Sequence, residues 1–251
     1  MKRTMSLLFL MMFTVSVCAQ DHTISRSSAT KPQKTTDKSD GHKNPSTVIQ
    51  QKKDRTTSKR LSCPDGNHPH MIDLGLPSGT KWACCNVGAN KPEGYGGYYP
   101  WGEMESRSKY NWSTYIHCDG SEKTCHDLGS DIAGTRYDVA HVKWGGSWVM
   151  PSKEQQDELR NNCTYTWTTV NGVKGGRFTS KKNGKSIFLP AGGDRDDNDF
   201  STTGMFGYYW SSSQYSSDTY HSNSFYFYSA STDWGYHYRY CGLSVRPVVR
   251  N

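Results

Sequence analysis

Between Tyr208 and Tyr240 the chain contains no Lys, Glu, Met, Leu, Ile or Val, and this omission constrains its folding more than any other feature. Nine of the 16 tyrosines and nine serines fall in these 33 residues. The composition is that of a contact surface. Tyr gives a large, rigid, amphipathic contact at low entropic cost, and Ser gives adaptable hydrogen bonding. Period-two alternation assigns faces within it. In Phe225-Tyr226-Phe227-Tyr228 the phenylalanines suit a core and the tyrosines an outer face. Tyr236, Tyr238 and Tyr240 share the face opposite Leu243 and Val245. Asp218, Tyr220, His221, Asn223, Asp233 and Trp234 then fall in the intervening loops. Together with Tyr215 and His237 these residues make up the candidate ligand-binding set. Trp234 reads either as an exposed anchor or sugar platform or as a loop aromatic tucked against a sheet.

The N-terminus indicates where such a surface is displayed. Lys2 and Arg3 precede an apolar run from Leu7 to Val17, and Val17-Cys18-Ala19 before Gln20 reads as a signal-peptide cleavage site over residues 1–19. The run is too short for a membrane span. Residues 20–62 are polar, with 10 Lys and Arg against 4 Asp, a net of +6, whereas residues 63–251 hold 18 basic against 19 acidic side chains, a net of −1. The basic charge therefore belongs to a linker that buries too little to fold. Without interleaved aromatics it reads as a solvated spacer and not as a nucleic-acid site. The expected location is secreted or cell-surface.

Residues 63–251 are one domain's worth of chain. Short β-rich runs dominate it: Thr80–Val87, Ser147–Met150, Gly176–Ser180, Ser186–Leu189, Tyr208–Ser212, Ser224–Ser229 and Leu243–Val249. Ser152 with Gln155 three residues on signals a capped helix over Lys153–Asn162, and a second, weaker helix is expected around Asp131–Val142. The expected class is α+β.

Five blocks carry a resemblance: Asp73-Leu-Gly-Leu-Pro-Ser-Gly-Thr-Lys-Trp82, Trp144-Gly-Gly-Ser-Trp148 running into Met150-Pro151, Ile187-Phe-Leu-Pro-Ala-Gly192, Gly207-Tyr-Tyr-Trp-Ser-Ser-Ser213 and Gly242-Leu-Ser-Val-Arg-Pro-Val248. In content and order they resemble the Fibrobacter succinogenes major paralogous domain family, common in gut Bacteroidetes. The resemblance implies a C-type-lectin-like fold, in which a small antiparallel sheet and two helices support long ligand-facing loops. It places Trp82, Trp101, Trp148 and Trp210 in framework blocks, hence in the core. It names no ligand, because function sits in grafted sites. It also raises diversification by a retroelement that mutates adenines. Between Tyr215 and Cys241 the residue types that such mutation of an AAC codon excludes are absent apart from Trp234.

Removing Cys18 with the signal leaves seven cysteines, an odd number. The resemblance suggests a bridge between Cys85 and Cys163. Cys118 and Cys125 flank a short loop and could close locally, which leaves Cys63 with Cys84 and makes Cys241 the odd thiol. Adjacent Cys84-Cys85 is poor zinc-ligand spacing. The acidic run Asp194, Asp196, Asp197, Asn198, Asp199 departs from an EF-hand loop, and either a solvated turn or a calcium loop remains open there. No cofactor is expected.

The expected function is recognition of a protein or glycan at the cell surface by a hypervariable, adhesin-like face. The alternative is a structural subunit of a surface appendage or matrix. Catalysis ranks below both. Tyr99-Pro-Trp-Gly102 matches a short block of formylglycine-generating enzymes without their cysteine pair, and Glu103, Glu105 and Glu158 give no recognisable carboxylate pair.

Overall fold

The first and last strands of the domain lie in one small antiparallel sheet, so the structure closes on itself. The computed structural model describes residues 70–197 and 202–250. The expected signal peptide, basic linker and Cys63 lie outside the described residues, as do Asn198 and Asp199. In this first sheet β1 (Met71–Asp73) pairs with β2 (Lys81–Ala83), and the sheet is completed by β3 (Trp148–Val149) and the C-terminal β10 (Val248–Val249) in the order β1-β2-β10-β3.

Helix α1 (Val139–Trp144) precedes β3 and helix α2 (Lys153–Asn162) follows it. Helix α2 has the expected bounds and its capping box is made: Gln155 N–H donates to Ser152 Oγ (3.3 Å) and Ser152 N–H to Gln155 Oε1 (3.0 Å). Helix α1 starts eight residues later than expected, because Asp138 is its N-cap. The Asp138 carboxylate accepts from Ala140 N–H and His141 N–H and also from Gly134 and Met150. Residues 131–138 therefore form turns folded around that buried carboxylate.

The remaining strands form two three-stranded antiparallel meanders. One comprises β4 (Cys163–Val170), β5 (Val173–Ser180) and β6 (Ser186–Pro190). Its first hairpin turns at Asn171-Gly172, both at positive φ (48° and 82°), the chemistry of a tight two-residue turn. The other comprises β7 (Phe206–Gln214), β8 (His221–Tyr228) and β9 (Ser231–Tyr238). The sheets face each other through aromatic rings. Phe178 of β5 lies 5.8 Å from Phe225 and 5.9 Å from Phe227 of β8, and Tyr165 of β4 lies 6.1 Å from Phe227. Leu159, Ile187, Leu189, Tyr209 and Val248 join that core.

The α+β, C-type-lectin-like expectation is overturned. Among the described residues the domain is mostly β and sandwich-like, with three small antiparallel sheets and two α-helices of six and ten residues. Two strands outside the expected runs account for the difference. Strand β4 reads Cys-Thr-Tyr-Thr-Trp-Thr-Thr-Val, and β9 carries Asp233 and Gly235, poor strand formers alone. Both are fixed by eight-residue pairings with their neighbours. The four framework tryptophans are buried. Trp101 and Trp210 interlock, with Trp101 Nε1–H donating to Ser211 O (2.9 Å) and Trp210 Nε1–H to Tyr99 O (2.7 Å). The Tyr99–Gly102 block is thereby fastened onto β7.

Phe227 fits because two strand positions lack a side chain. A Cβ at Gly207 would sit 2.1 Å from Phe227 Cζ, and one at Gly176 would sit 3.1 Å from Phe227 Cδ2. Gly207→Ala is therefore expected to destabilise the domain by roughly 1–3 kcal/mol. Urea unfolding checks this, and Phe227→Leu in the same chain should recover part of the loss.

Candidate binding surface

Strands β8 and β9 pair without a slip from His221↔Tyr238 to Tyr228↔Ser231. Directly opposed residues share a face and neighbours along a strand alternate, so the candidate residues divide into two sets. On one face stand His221, Asn223, Phe225 and Phe227 of β8 with Tyr238, Tyr236, Trp234 and Thr232 of β9. On the other stand Ser222, Ser224, Tyr226 and Tyr228 with His237, Gly235, Asp233 and Ser231. Tyr226 and Tyr228 thus do not share a surface with Tyr236 and Tyr238. The single tyrosine face inferred from the sequence is two patches on opposite sides of one sheet.

The first face runs out of the core into a ladder of seven rings. His221 stacks on Tyr238 (4.5 Å, 18°), Tyr238 on Tyr240 (5.4 Å, 15°) and Tyr215 on Tyr236 (4.6 Å, 26°). Tyr220 leans on His221 at 4.6 Å, and Trp112 meets Tyr240 edge-on at 4.7 Å and Tyr238 at 5.4 Å. Such stacked and edge-on contacts add about 0.5–1.5 kcal/mol per pair beyond area burial, so the ladder is largely preorganised. Tyr236 is its most open member, at 45% exposure.

Polar residues taken from the sequence as ligand contacts are the braces of this ladder. Asp218 accepts from Tyr220 N–H (3.1 Å), His221 N–H (2.7 Å) and His221 Nδ1 (2.9 Å), which fixes the turn into β8 and the imidazole at the ladder's centre. The Asp218 charge also pushes the Tyr220 phenol upward from its ordinary pKa. Asn223 Nδ2 donates to Ser213 O and Gln214 O, where the β7–β8 register shifts. Arg239, fully buried, donates to Tyr115 Oη, His126 O and Thr219 O and lies 4.8 Å over Trp101. It thereby ties the 112–126 loop to the end of β9. Trp112 arrives on that loop and went unrecognised in the sequence, since nothing local links Asn111-Trp112-Ser113 to residues 238–240.

Other candidates lie elsewhere. Trp234 is in β9 and not in a loop, and its Nε1–H donates to Asp157 of α2 (2.5 Å) with Lys153 Nζ 5.3 Å from the ring. It is a half-buried strand residue docked on α2 and not a loop aromatic. Asp233 is exposed, 3.7 Å from Arg160. Tyr226 and Tyr228 are half-buried in a smaller patch with Phe206 and Tyr208. His237 and Tyr240 are buried, and Cys241 completely so. A diversified surface does not include those three side chains.

Cys118 and Cys125 form a disulfide. The suggested Cys85–Cys163 bridge is absent. Cys163 is a free, buried thiol within the main core, while Cys85 packs with Cys84 and Ala89 in a separate cluster and donates to Ala89 O (3.4 Å). Burial pushes the Cys163 thiol up to about 11. Asp194 accepts from Thr202 Oγ1 (2.6 Å) and Asp197 from Asn111 Nδ2 (3.1 Å), so these carboxylates serve different partners. Among the described residues no three His, Cys, Asp or Glu side chains form a group able to hold a metal. Glu103 binds Arg107, Glu105 binds Lys143 and Glu158 binds Ser78, and these pairings leave no carboxylate couple.

His237 Nδ1 lies 2.9 Å from Ser224 Oγ, between Tyr208 and Trp210. Burial lowers its pKa from 6.5 to about 4, partly opposed by Asp194. A depressed histidine pKa means the fold prefers the neutral ring. That contribution is complete above about pH 6.5 and is lost as pH falls toward 4. Unfolding of the native chain is expected to lose roughly 1–3 kcal/mol over this window, and His237→Gln should show a smaller loss. Equal pH dependence of the two proteins in thermal melts would contradict the assignment.

Residues 159–248, from the end of α2 to β10, match a family described as a domain of unknown function, DUF8237. No curated protein and no solved structure matches the chain.

Proposed function

We propose that the chain is a secreted or surface-displayed recognition protein whose contact surface is the aromatic ladder of Trp112, Tyr215, Tyr220, His221, Tyr236 and Tyr238, backed by the buried Tyr240, and whose ligand is a protein or glycan. One observation carries the reading: rings that would ordinarily be buried continue past the core along one face of β8 and β9 and are braced there by Asp218, Asn223 and Arg239. Aromatic surface held open at the cost of internal polar bracing marks an interaction site. The five sequence blocks that resemble the Fibrobacter succinogenes family belong to this proposal as a kinship of sequence. The signal-like N-terminus supports display outside the cell. The mechanism is recognition without chemistry.

The second reading is a structural subunit of an appendage or matrix, in which the ladder packs against a neighbour. Strand edges on the same sheet favour it. The two are separated by binding of the full chain to parallel glycan and surface-protein arrays beside two variants. Tyr215→Ser/Tyr236→Ser is expected to lose binding by about tenfold or more. Tyr226→Ser/Tyr228→Ser is expected to keep it. The reverse pattern would move the site to the other face, and self-association without any ligand would favour the structural subunit.

Diversification makes a prediction of its own. If the segment is a retroelement target, copies from related genomes should vary at Tyr215, Tyr220 and Tyr236 and stay constant at His237, Tyr240 and Cys241, whose side chains are buried. Sequencing the locus checks this, and variation concentrated at the buried positions would sink the idea.

A further inference from the structure

Strand β9 is both the carrier of the ladder and the edge of its sheet. In the order β7-β8-β9 its eight residues pair with β8 on one side, and among the described residues no strand or isolated bridge pairs with its other side. Edge strands present a row of backbone N–H and C=O groups, and proteins usually blunt them with Lys, Pro, bulges or a covering segment. Strand β9 has no Lys and no Pro, its register with β8 is unbroken, and Asp233 is its single charged residue. Trp234 N–H donates to Asp233 Oδ1 and Tyr238 O accepts from Cys241 N–H, and α2 docks at Trp234, so the part of the edge that can template another strand is centred on Tyr236. Strand β4 is also an edge, but it carries none of the ladder.

The ladder bears on what kind of ligand fits. A sugar ring stacks on an open aromatic face, whereas here His221 with Tyr238, Tyr238 with Tyr240 and Tyr215 with Tyr236 are stacked on one another. These pairs cover faces and leave edges and hydroxyls to the partner. Tyr236 and Tyr238 stand at alternate positions of β9 itself. A chain laid along β9 would place every second side chain over the ladder, which is the geometry of strand addition. The carboxylates near its two ends are already engaged, Asp233 by Arg160 and Asp218 by His221 and the Tyr220 amide.

Resting on the recognition reading above, we infer that the ligand is an extended polypeptide segment of another protein. It adds as a strand to the edge of β9 around Tyr236, with apolar or aromatic side chains at alternate positions on the ladder. Main-chain hydrogen bonds to β9 supply affinity and the ladder supplies selectivity.

The test selects short random linear peptides against the full chain and screens a glycan array in parallel. A selected peptide is then resynthesised with N-methyl groups on alternate backbone nitrogens, in each of the two phases. Selected peptides are expected to alternate apolar and polar residues. N-methylation in one phase should weaken binding by about tenfold, the effect of a lost hydrogen bond, and in the other phase should have little effect. Hydrogen exchange of β9 amides should slow on binding while that of β5 stays unchanged.

Binding that is equally sensitive to both phases, or that leaves β9 exchange untouched, overturns strand addition but not recognition. Glycan binding without peptide binding does the same, and so does dimerisation of the chain through β9. Failure of both peptides and glycans to bind overturns the recognition reading as well.

Discussion

The register of β8 depends on Phe225 and Phe227. Both must enter the layer between the two three-stranded sheets, where they meet Phe178 and Tyr209. A slip of one residue would turn every side chain of the strand to the other face. Once these two rings are fixed, His221 and Asn223 have to point the same way, and pairing carries Tyr236 and Tyr238 with them. The ladder is thus the outward continuation of a core face beyond the reach of the opposing sheet. Its position follows from burial elsewhere on the same strand.

That dependence links stability to the shape of the ladder. The glycine slot that admits Phe227, the capping box that sets α2 and the Trp234–Asp157 bond that docks β9 on α2 all act on the ladder at a distance, through register. At the far end, Arg239 and the Trp101–Trp210 interlock hold the 99–126 loops against the sheet, and so place Trp112. A buried guanidinium is costly unless its donors are bonded. Arg239 meets that requirement in part: Nε and Nη1 donate to three oxygens from three segments, while Nη2 lies buried without a hydrogen-bond partner, so the residue is a joint as well as a core residue.

Much of the domain was legible locally. The capping box named α2 to the residue, because its two hydrogen bonds are made within four positions of chain. Alternation in Phe225–Tyr228 separated core from surface side chains correctly, because Phe has no polar atom to satisfy. The failures have two causes. The docking of Trp234 on α2 and the arrival of Trp112 depend on partners distant in sequence, whereas β4 and β9 pair with neighbouring strands through two-residue turns and the opposed placement of Tyr226 and Tyr236 follows from the β8–β9 register. Asp218 and Asn223 read as ligand contacts, since a polar side chain in a Tyr-rich segment looks the same whether it faces a ligand or its own backbone. The Cys85–Cys163 bridge failed because the resemblance that suggested it says nothing of which cluster each thiol packs in.

The sequence by itself determined the contact chemistry of this protein. A segment of Tyr and Ser without Lys, Glu, Met, Leu, Ile or Val makes aromatic, hydrogen-bonding contacts wherever it is placed, because those properties belong to the side chains. Only the tertiary structure decided which tyrosines act together. Strand pairing sorted them to two faces and the buried phenylalanines chose the register. The edge position of β9 left a backbone open beside the ladder, and none of these outcomes is encoded within reach of a single strand.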